Sequence, residues 1–404
     1  MSSLAKKIVA VLSVFIFAYV TAGFVMARSD KGKENAYRAM TVYTEVLDHI
    51  QNDYVDQPNI HQVTSGALHG LLDSLDPQSS YMSPLEYKDY EQKTATAAKA
   101  SAGVALTKRF GYISVISSLP DSPAAKVKLR LGDVIEKIGQ FTTSQMGVDQ
   151  AQVLLSGEPG TVVKLSVIRR GKTEPEAVSM ILEPLPAPKS VTATLPGGVA
   201  YLRVPQFSNG MAQQIRASLE QFKRQGAKKL ILDLRNCALG NEPEGVDTAQ
   251  LFLTSGTIAT LKGQTVAAQT FSADAAKAVW TEPVAVLIGN GTAGPAEIVA
   301  AAIADNHRGD SVGDRTYGTA SEQKLIQLDD GSALILTVAD YYTPDNKNIP
   351  EEGVAPTDIV RPAAADDIAE LNNIYPPTPS DSPTDPVVKK ALEALQAPAA
   401  RKAA

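Results

Sequence analysis

VAVLIGNGTAGPAEIVAAAIADNHRGDSVGDRTYGTASEQ, residues 284–323, decides the fold. Val284–Ile288 is a short, unbroken apolar run, as expected of a strand covered on both faces. It breaks at Gly289-Asn290-Gly291, and a helix opens at Gly294-Pro295-Ala296-Glu297. Proline suits a first helical position because its missing N–H would find no partner there. Glycine is acceptable as an N-cap, and Glu297 in the first turn complements the helix dipole. A Gly-punctuated turn at Tyr317-Gly318-Thr319 follows a second strand pattern. Strand, tight turn and helix N-terminus together form a common place for an acyl-transfer site.

Upstream, the strand patterns Gly198–Val204 and Lys229–Arg235 alternate with helical patterns over Met211–Gln225 and Val246–Leu253. Strands alternating with helices predict an α/β domain with a mostly parallel sheet. From Lys99 to Leu182 the pattern changes to short strands, with a short helix beginning at Ser122-Pro123-Ala124-Ala125 and a turn over Leu155–Thr161. Residues from about Asn35 to Lys93 read as helical, with apolar stripes at Val42, Val46, Leu47 and Ile50 and at Val63, Ala67, Leu68, Leu71 and Leu72. After Arg361 the chain is rich in Ala, Pro, Asp and Ser, with a short helix expected over Asp385–Gln396.

With 404 residues, 44% hydrophobic and 20% charged, the chain is globular and long enough for two or three domains. A net charge of −6 gives no reason to expect nucleic-acid binding. A single cysteine, Cys237, excludes an internal disulfide framework. His49, His61, His69 and His307 stand apart in sequence, so no metal or other cofactor is expected. Lys6-Lys7 precede an uncharged apolar run from Ile8 to Met26, about the length of a membrane span. The expectation is a membrane-anchored, extracytoplasmic protein, periplasmic if the cell has an outer membrane. Val25-Met26-Ala27 also passes as a cleavage site, and cutting there would release a secreted body.

Residues 284–323 also resemble a family of serine peptidases, the carboxy-terminal processing peptidases. In that family the turn reads S-A-S-A-S-E-I, and the serine three residues before the Glu is the nucleophile. A lysine base follows twenty-five residues later, with a glutamine four residues beyond it. Anchored on Glu297-Ile298, the resemblance puts the nucleophile's position at Gly294, the base's at Thr319 and the glutamine's at Gln323. The residue after the nucleophile lends one oxyanion N–H, and here it is Pro295, which has none. The other donor comes from a loop worded D-L-R-x-N-P-G-G, which here reads Asp233-Leu234-Arg235-Asn236-Cys237-Ala238-Leu239-Gly240, keeping only the last glycine.

The resemblance extends over most of residues 35–360. LDPQSSY at 75–81 is similar to the family's L-D-P-H-S segment, and the short strands from Lys99 resemble a PDZ domain. That implies a crotonase/Clp-protease-like spiral core with an inserted PDZ domain and an N-terminal helical segment. The implied boundaries are 1–30 for the anchor, 35–95 for the helices, 96–186 for the PDZ domain, 187–362 for the core and 363–404 for the tail. In such domains a loop like Gly103-Val104-Ala105-Leu106 presents backbone N–H groups to a peptide's terminal carboxylate. Lys128 stands where the family has a small residue.

Ser–Lys hydrolysis needs a hydroxyl, a neutral amine and two oxyanion donors. Gly294 cannot attack, Thr319 cannot act as an amine base, and Gly-Pro makes a better helix start than a strained nucleophile turn. Nearby, Thr292, Ser321, Lys324, Cys237 and His307 are the groups that a rewired site would have to use, and Arg315 stays protonated. The expectation is a pseudoprotease that binds C-terminal tails of exported or membrane proteins, or pairs with an active relative. The rivals are a working serine endopeptidase with a rewired dyad and a structural envelope protein.

Overall fold

A computed structural model describes residues 37–95, 98–361 and 385–396. The chain divides between Ala67 and Leu68 into two compact units. In the first, residues 37–53 are helical and a second helix, Ile60–Asp73, begins.

The second unit is built on a six-stranded sheet in the order Val191–Leu195, Val199–Arg203, Leu230–Asp233, Val284–Ile288, Asp310–Gly313, Asp358–Ile359. All neighbours are parallel except the first pair, which is a hairpin. The run Val284–Ile288 is buried throughout because both of its faces are covered. On one face Leu230, Leu232, Val286 and Ile288 meet the helices Met211–Arg224 and Pro295–Asp305. On the other, Ile231, Ala285 and Leu287 meet the helix Pro386–Gln396 through Val387, Val388, Ala391 and Leu395. Apolar residues at Met211, Ile215, Leu219 and Phe222 recur at helical spacing, which is why that segment coils and lies flat.

An antiparallel second sheet joins Ser80–Met82, Ala333–Tyr342, Thr257–Lys262 and Gln269–Ser272, with Ser321–Gln327 also on Ala333–Tyr342. A third, antiparallel sheet runs Val104–Arg109, Tyr112–Ser118, Val134–Ile138, Val162–Ile168, Pro175–Ile181 around its own apolar cluster. Val104–Arg109 is its edge strand.

Three expectations need correction. The helical reading of residues 35–93 fails at Ser80–Met82, a strand whose partners Ile335, Leu334 and Ala333 lie some 250 residues away. The helix expected from Val246 begins at Glu242, where Pro243 fills an early helical position. Membrane anchoring is not sustained: among the described residues no helix is long and apolar enough to cross a membrane. The run Ile8–Met26 and the sequence Val25-Met26-Ala27 lie outside the described residues.

Candidate functional site

Gly294 follows the strand Val284–Ile288 and caps the helix Pro295–Asp305 with φ 57° and ψ −123°. That backbone region is close to glycine-only, so the sharp turn persists here without the strain a side chain would add. A Cβ built on Gly294 would lie 3.7 Å from Glu242 Oε1 and 3.8 Å from Thr319 Oγ1. Positions 294 and 319 therefore face each other across the space of one side chain.

Glu297 holds them there. Its carboxylate, fully buried, accepts from the N–H of Gly294 at 2.9 Å, of Gly318 at 2.6 Å and of Thr319 at 2.8 Å, and from the Thr316 hydroxyl. The Glu297 N–H donates back to the Gly294 carbonyl at 3.0 Å. Burial pushes this carboxyl up to about 7, against the four donors that pull it down. Glu297 is thus a tie between the helix start and the loop of residues 316–319, more than a dipole complement.

Glu242 is the group that sequence reasoning missed. Burial, with the nearby Glu322 charge, pushes its carboxyl up to about 7. It opens the helix Glu242–Gln250 directly after the Gly240 loop, half-buried, and nothing local in the sequence marks it out. Gln323 donates to Ser321 Oγ at 2.7 Å, and Ser321 Oγ donates to the Thr319 carbonyl at 3.2 Å. This chain of bonds reaches residue 319 through Ser321.

At Gly240, φ is 133° and an added Cβ would stand 2.2 Å from the Phe207 carbonyl oxygen, so only glycine fits. Phe207 brackets that loop, donating to the Leu239 carbonyl at 2.8 Å and accepting from the Asn241 N–H at 2.9 Å. The Ala293 N–H donates to the Cys237 carbonyl at 3.0 Å, joining this loop to the turn before Gly294. Pro295 presents no N–H toward the same space.

The substitutes named from sequence are otherwise engaged. Thr292 is buried, donating to the Leu234 carbonyl at 2.9 Å and accepting from the Gly289 N–H at 3.1 Å. Burial raises the Cys237 thiol far above its ordinary value, which removes the thiolate. Lys324 and His307 are exposed, and Arg315 donates to the Glu352 carbonyl. Among the described residues no group of three or more His, Cys, Asp or Glu stands together as metal ligands.

At Gly103, φ is 68° and an added Cβ would meet Ser122 Cβ at 2.6 Å. Its N–H donates to Ser101 Oγ at 3.2 Å, and its carbonyl accepts from the Leu119 N–H at 2.8 Å. Val104 and Leu106 are buried in the core of the third sheet, while Ala105 packs with Ile116 and Ala293 beside Leu239 and Tyr317. The structure thus brings Ala105 to the residue preceding Gly294.

Residues 198–360 match peptidase family S41. The carboxy-terminal-processing protease of Bartonella bacilliformis is 30% identical over 362 residues, 88% of this chain and 82% of that protein. The carboxyl-terminal-processing protease of a Synechocystis strain is 30% identical over 319 residues, 77% of this chain and 74% of that protein. Among solved structures, a photosystem II D1 C-terminal processing protease superposes with a TM-score of 0.65 at 23% identity, over 83% of this chain and 97% of its own.

Proposed function

Because this chain belongs to the carboxy-terminal-processing proteases of peptidase family S41, we propose that it is a member that binds protein C-terminal tails and no longer cuts them with a Ser–Lys dyad. The observation that carries this is Gly294: it has the sharp turn and the facing loop, and it has no side chain to attack with. Thr319 facing it is no base, and Pro295 withholds an oxyanion donor.

In this reading residues 96–186 are a PDZ domain inserted before a crotonase/Clp-protease-like core at 187–362. Support comes from the edge strand Val104–Arg109, which has a sheet neighbour on one side alone, and from the left-handed Gly103 before it; Val104–Lys108 are buried as they stand, so an added strand would displace what covers them. Ala105 against Ala293 makes the tail site continuous with the turn at Gly294.

Calorimetry on the full chain tests the proposal. A peptide with an apolar last residue and a free carboxylate should bind, and amidating that terminus should weaken binding at least about fivefold, since it removes the charge the N–H groups receive. Equal affinity of both peptides would refute tail recognition. A fluorophosphonate probe should leave the protein unlabelled.

Glu242 favours a second reading. Its Oε1 beside the space at Gly294 would accept a proton from a water held there, the water's oxygen would attack the peptide carbonyl, and Glu242 would return the proton to the amine as the C–N bond breaks. Tail cleavage that the fluorophosphonate leaves intact and Glu242→Gln abolishes would establish it.

A further inference from the structure

Between the strand Tyr112–Ser118, the short helix Pro123–Lys126 and the loop at Asn236 lies a cavity of about 220 Å³. Ser117, Lys126, Lys128, Arg130 and Asn236 line it with one carboxylate, Asp121. Lys126 is already paired with Glu183. Lys128 and Arg130 have no ion-pair partner among the described residues, and the Arg130 Nε is buried without any hydrogen-bond partner. Lys128 is exposed and Arg130 half-buried, so the burial cost falls on the Arg130 Nε: a charged donor left unpaired in a buried place is costly, and folded chains seldom keep one without a use. Nearby Arg169 shows the ordinary outcome. It divides its guanidinium among Asp133, Glu176 and the carbonyls of Val127 and Lys128.

Lys128 carries a second cost, because its φ of 57° lies in the left-handed region that favours glycine. Both residues oppose stability where they stand, and both put positive charge on one cavity. Strain of this kind is kept where something else depends on it.

We propose that this cavity binds a small oxyanion, a phosphate or a carboxylate group, between the third sheet and the loop beginning at Asn236. The planar guanidinium of Arg130 would meet two oxygens side by side, and the Lys128 ammonium would add a point charge. The Ser117 hydroxyl, 5% exposed, would donate to a third oxygen. These are side-chain charges, whereas the proposed tail site at Gly103–Leu106 would use backbone N–H groups. Because Asn236 opens the loop that ends at Gly240 beside the Gly294 turn, a bound anion would hold the sheet and this loop together.

Calorimetry on the full chain, with inorganic phosphate in one arm and acetate in the other at constant ionic strength, tests the proposal. Saturable binding of either anion at millimolar concentrations is expected, and the tighter one identifies the source of the oxyanion. Arg130→Gln should weaken it by about tenfold or more, through loss of the bidentate contact. Lys128→Gly should weaken anion binding several-fold and at the same time raise the melting temperature, because glycine relieves the positive φ. A merely structural lysine would not move the two readouts in opposite directions. Absence of saturable binding to the wild type, or wild-type affinity in both variants, would overturn the proposal. Tail-peptide binding has no bearing on this outcome, since it would use other residues.

Discussion

A serine at position 294 would have room and would still be costly. Its Cβ would meet nothing closer than 3.7 Å, yet φ 57° with ψ −123° is a conformation that side-chain-bearing residues hold under strain. Gly294→Ser and Gly294→Ala should each lower stability by about 1–3 kcal/mol, measured by urea unfolding. Equal losses from both would assign the cost to the backbone rather than the hydroxyl. The double variant Gly294→Ser/Thr319→Lys should remain poor at hydrolysing tail peptides, since Pro295 withholds a donor worth about 3 kcal/mol. Adding Pro295→Ala should raise kcat measurably, and a double variant that already matches the triple would refute the role given to Pro295.

At the scale of elements, the helix Pro295–Asp305 and the loop of residues 316–319 are held together by one carboxylate. In its ionised form Glu297 accepts from four donors with no donor of its own, so an acceptor on both oxygens satisfies the cluster. Glu297→Gln turns one acceptor into an NH2 group pointing at N–H or hydroxyl donors. The expected loss is about 2–3 kcal/mol above about pH 8, where Glu297 is mostly ionised, read from denaturant midpoints. A loss below about 1 kcal/mol would mean the amide finds another arrangement and the tie is dispensable. The same elements show why local pattern misplaced two boundaries. Pro243 and Glu242 start a helix that apolar spacing alone begins at Val246. Ser80-Tyr81-Met82 looks like part of a helical turn until Ala333–Ile335 supplies its ladder.

Across the whole molecule, the sheet is closed on one face by the helix Pro386–Gln396, and a buried ion-pair chain pins it. Asp233, fully buried, accepts from the Tyr201 hydroxyl at 2.7 Å and from Arg235 at 2.6 Å. Arg235 also donates to Asp385 at 2.8 Å, and Asp385 caps the helix by accepting from the N–H of Val387 at 2.9 Å and of Val388 at 3.2 Å. Desolvation alone would raise the Asp233 carboxyl. The Arg235 guanidinium, together with Arg203 and the Tyr201 hydroxyl, outweighs it and holds the carboxyl down at about 2, below its ordinary 3.8. A depressed carboxylate contributes stability that is present above the unfolded value and lost as pH falls toward the folded one. On the order of 2 kcal/mol should therefore disappear between about pH 4 and pH 2. Acid titration followed by circular dichroism should show this, and Asp233→Asn should flatten that limb. An unchanged acid limb in the variant would assign the loss to other carboxylates.

The sequence by itself determined what depends on neighbours along the chain. The apolar run Val284–Ile288 read as a covered strand, Pro295 suited a helix start, and Gly294 could carry no nucleophile. The family wording followed from those same local spacings. Tertiary structure alone decided which groups meet. Glu242 beside Gly294, Glu297 against Thr319, Ser80 on Ile335 and Arg235 on Asp385 are pairs distant or hidden in the sequence. Burial gives such pairs their energy, because a carboxylate or guanidinium removed from water must find its partner inside the fold. Composition counts those charges, and only the folded chain shows which of them, like Arg130, end without one.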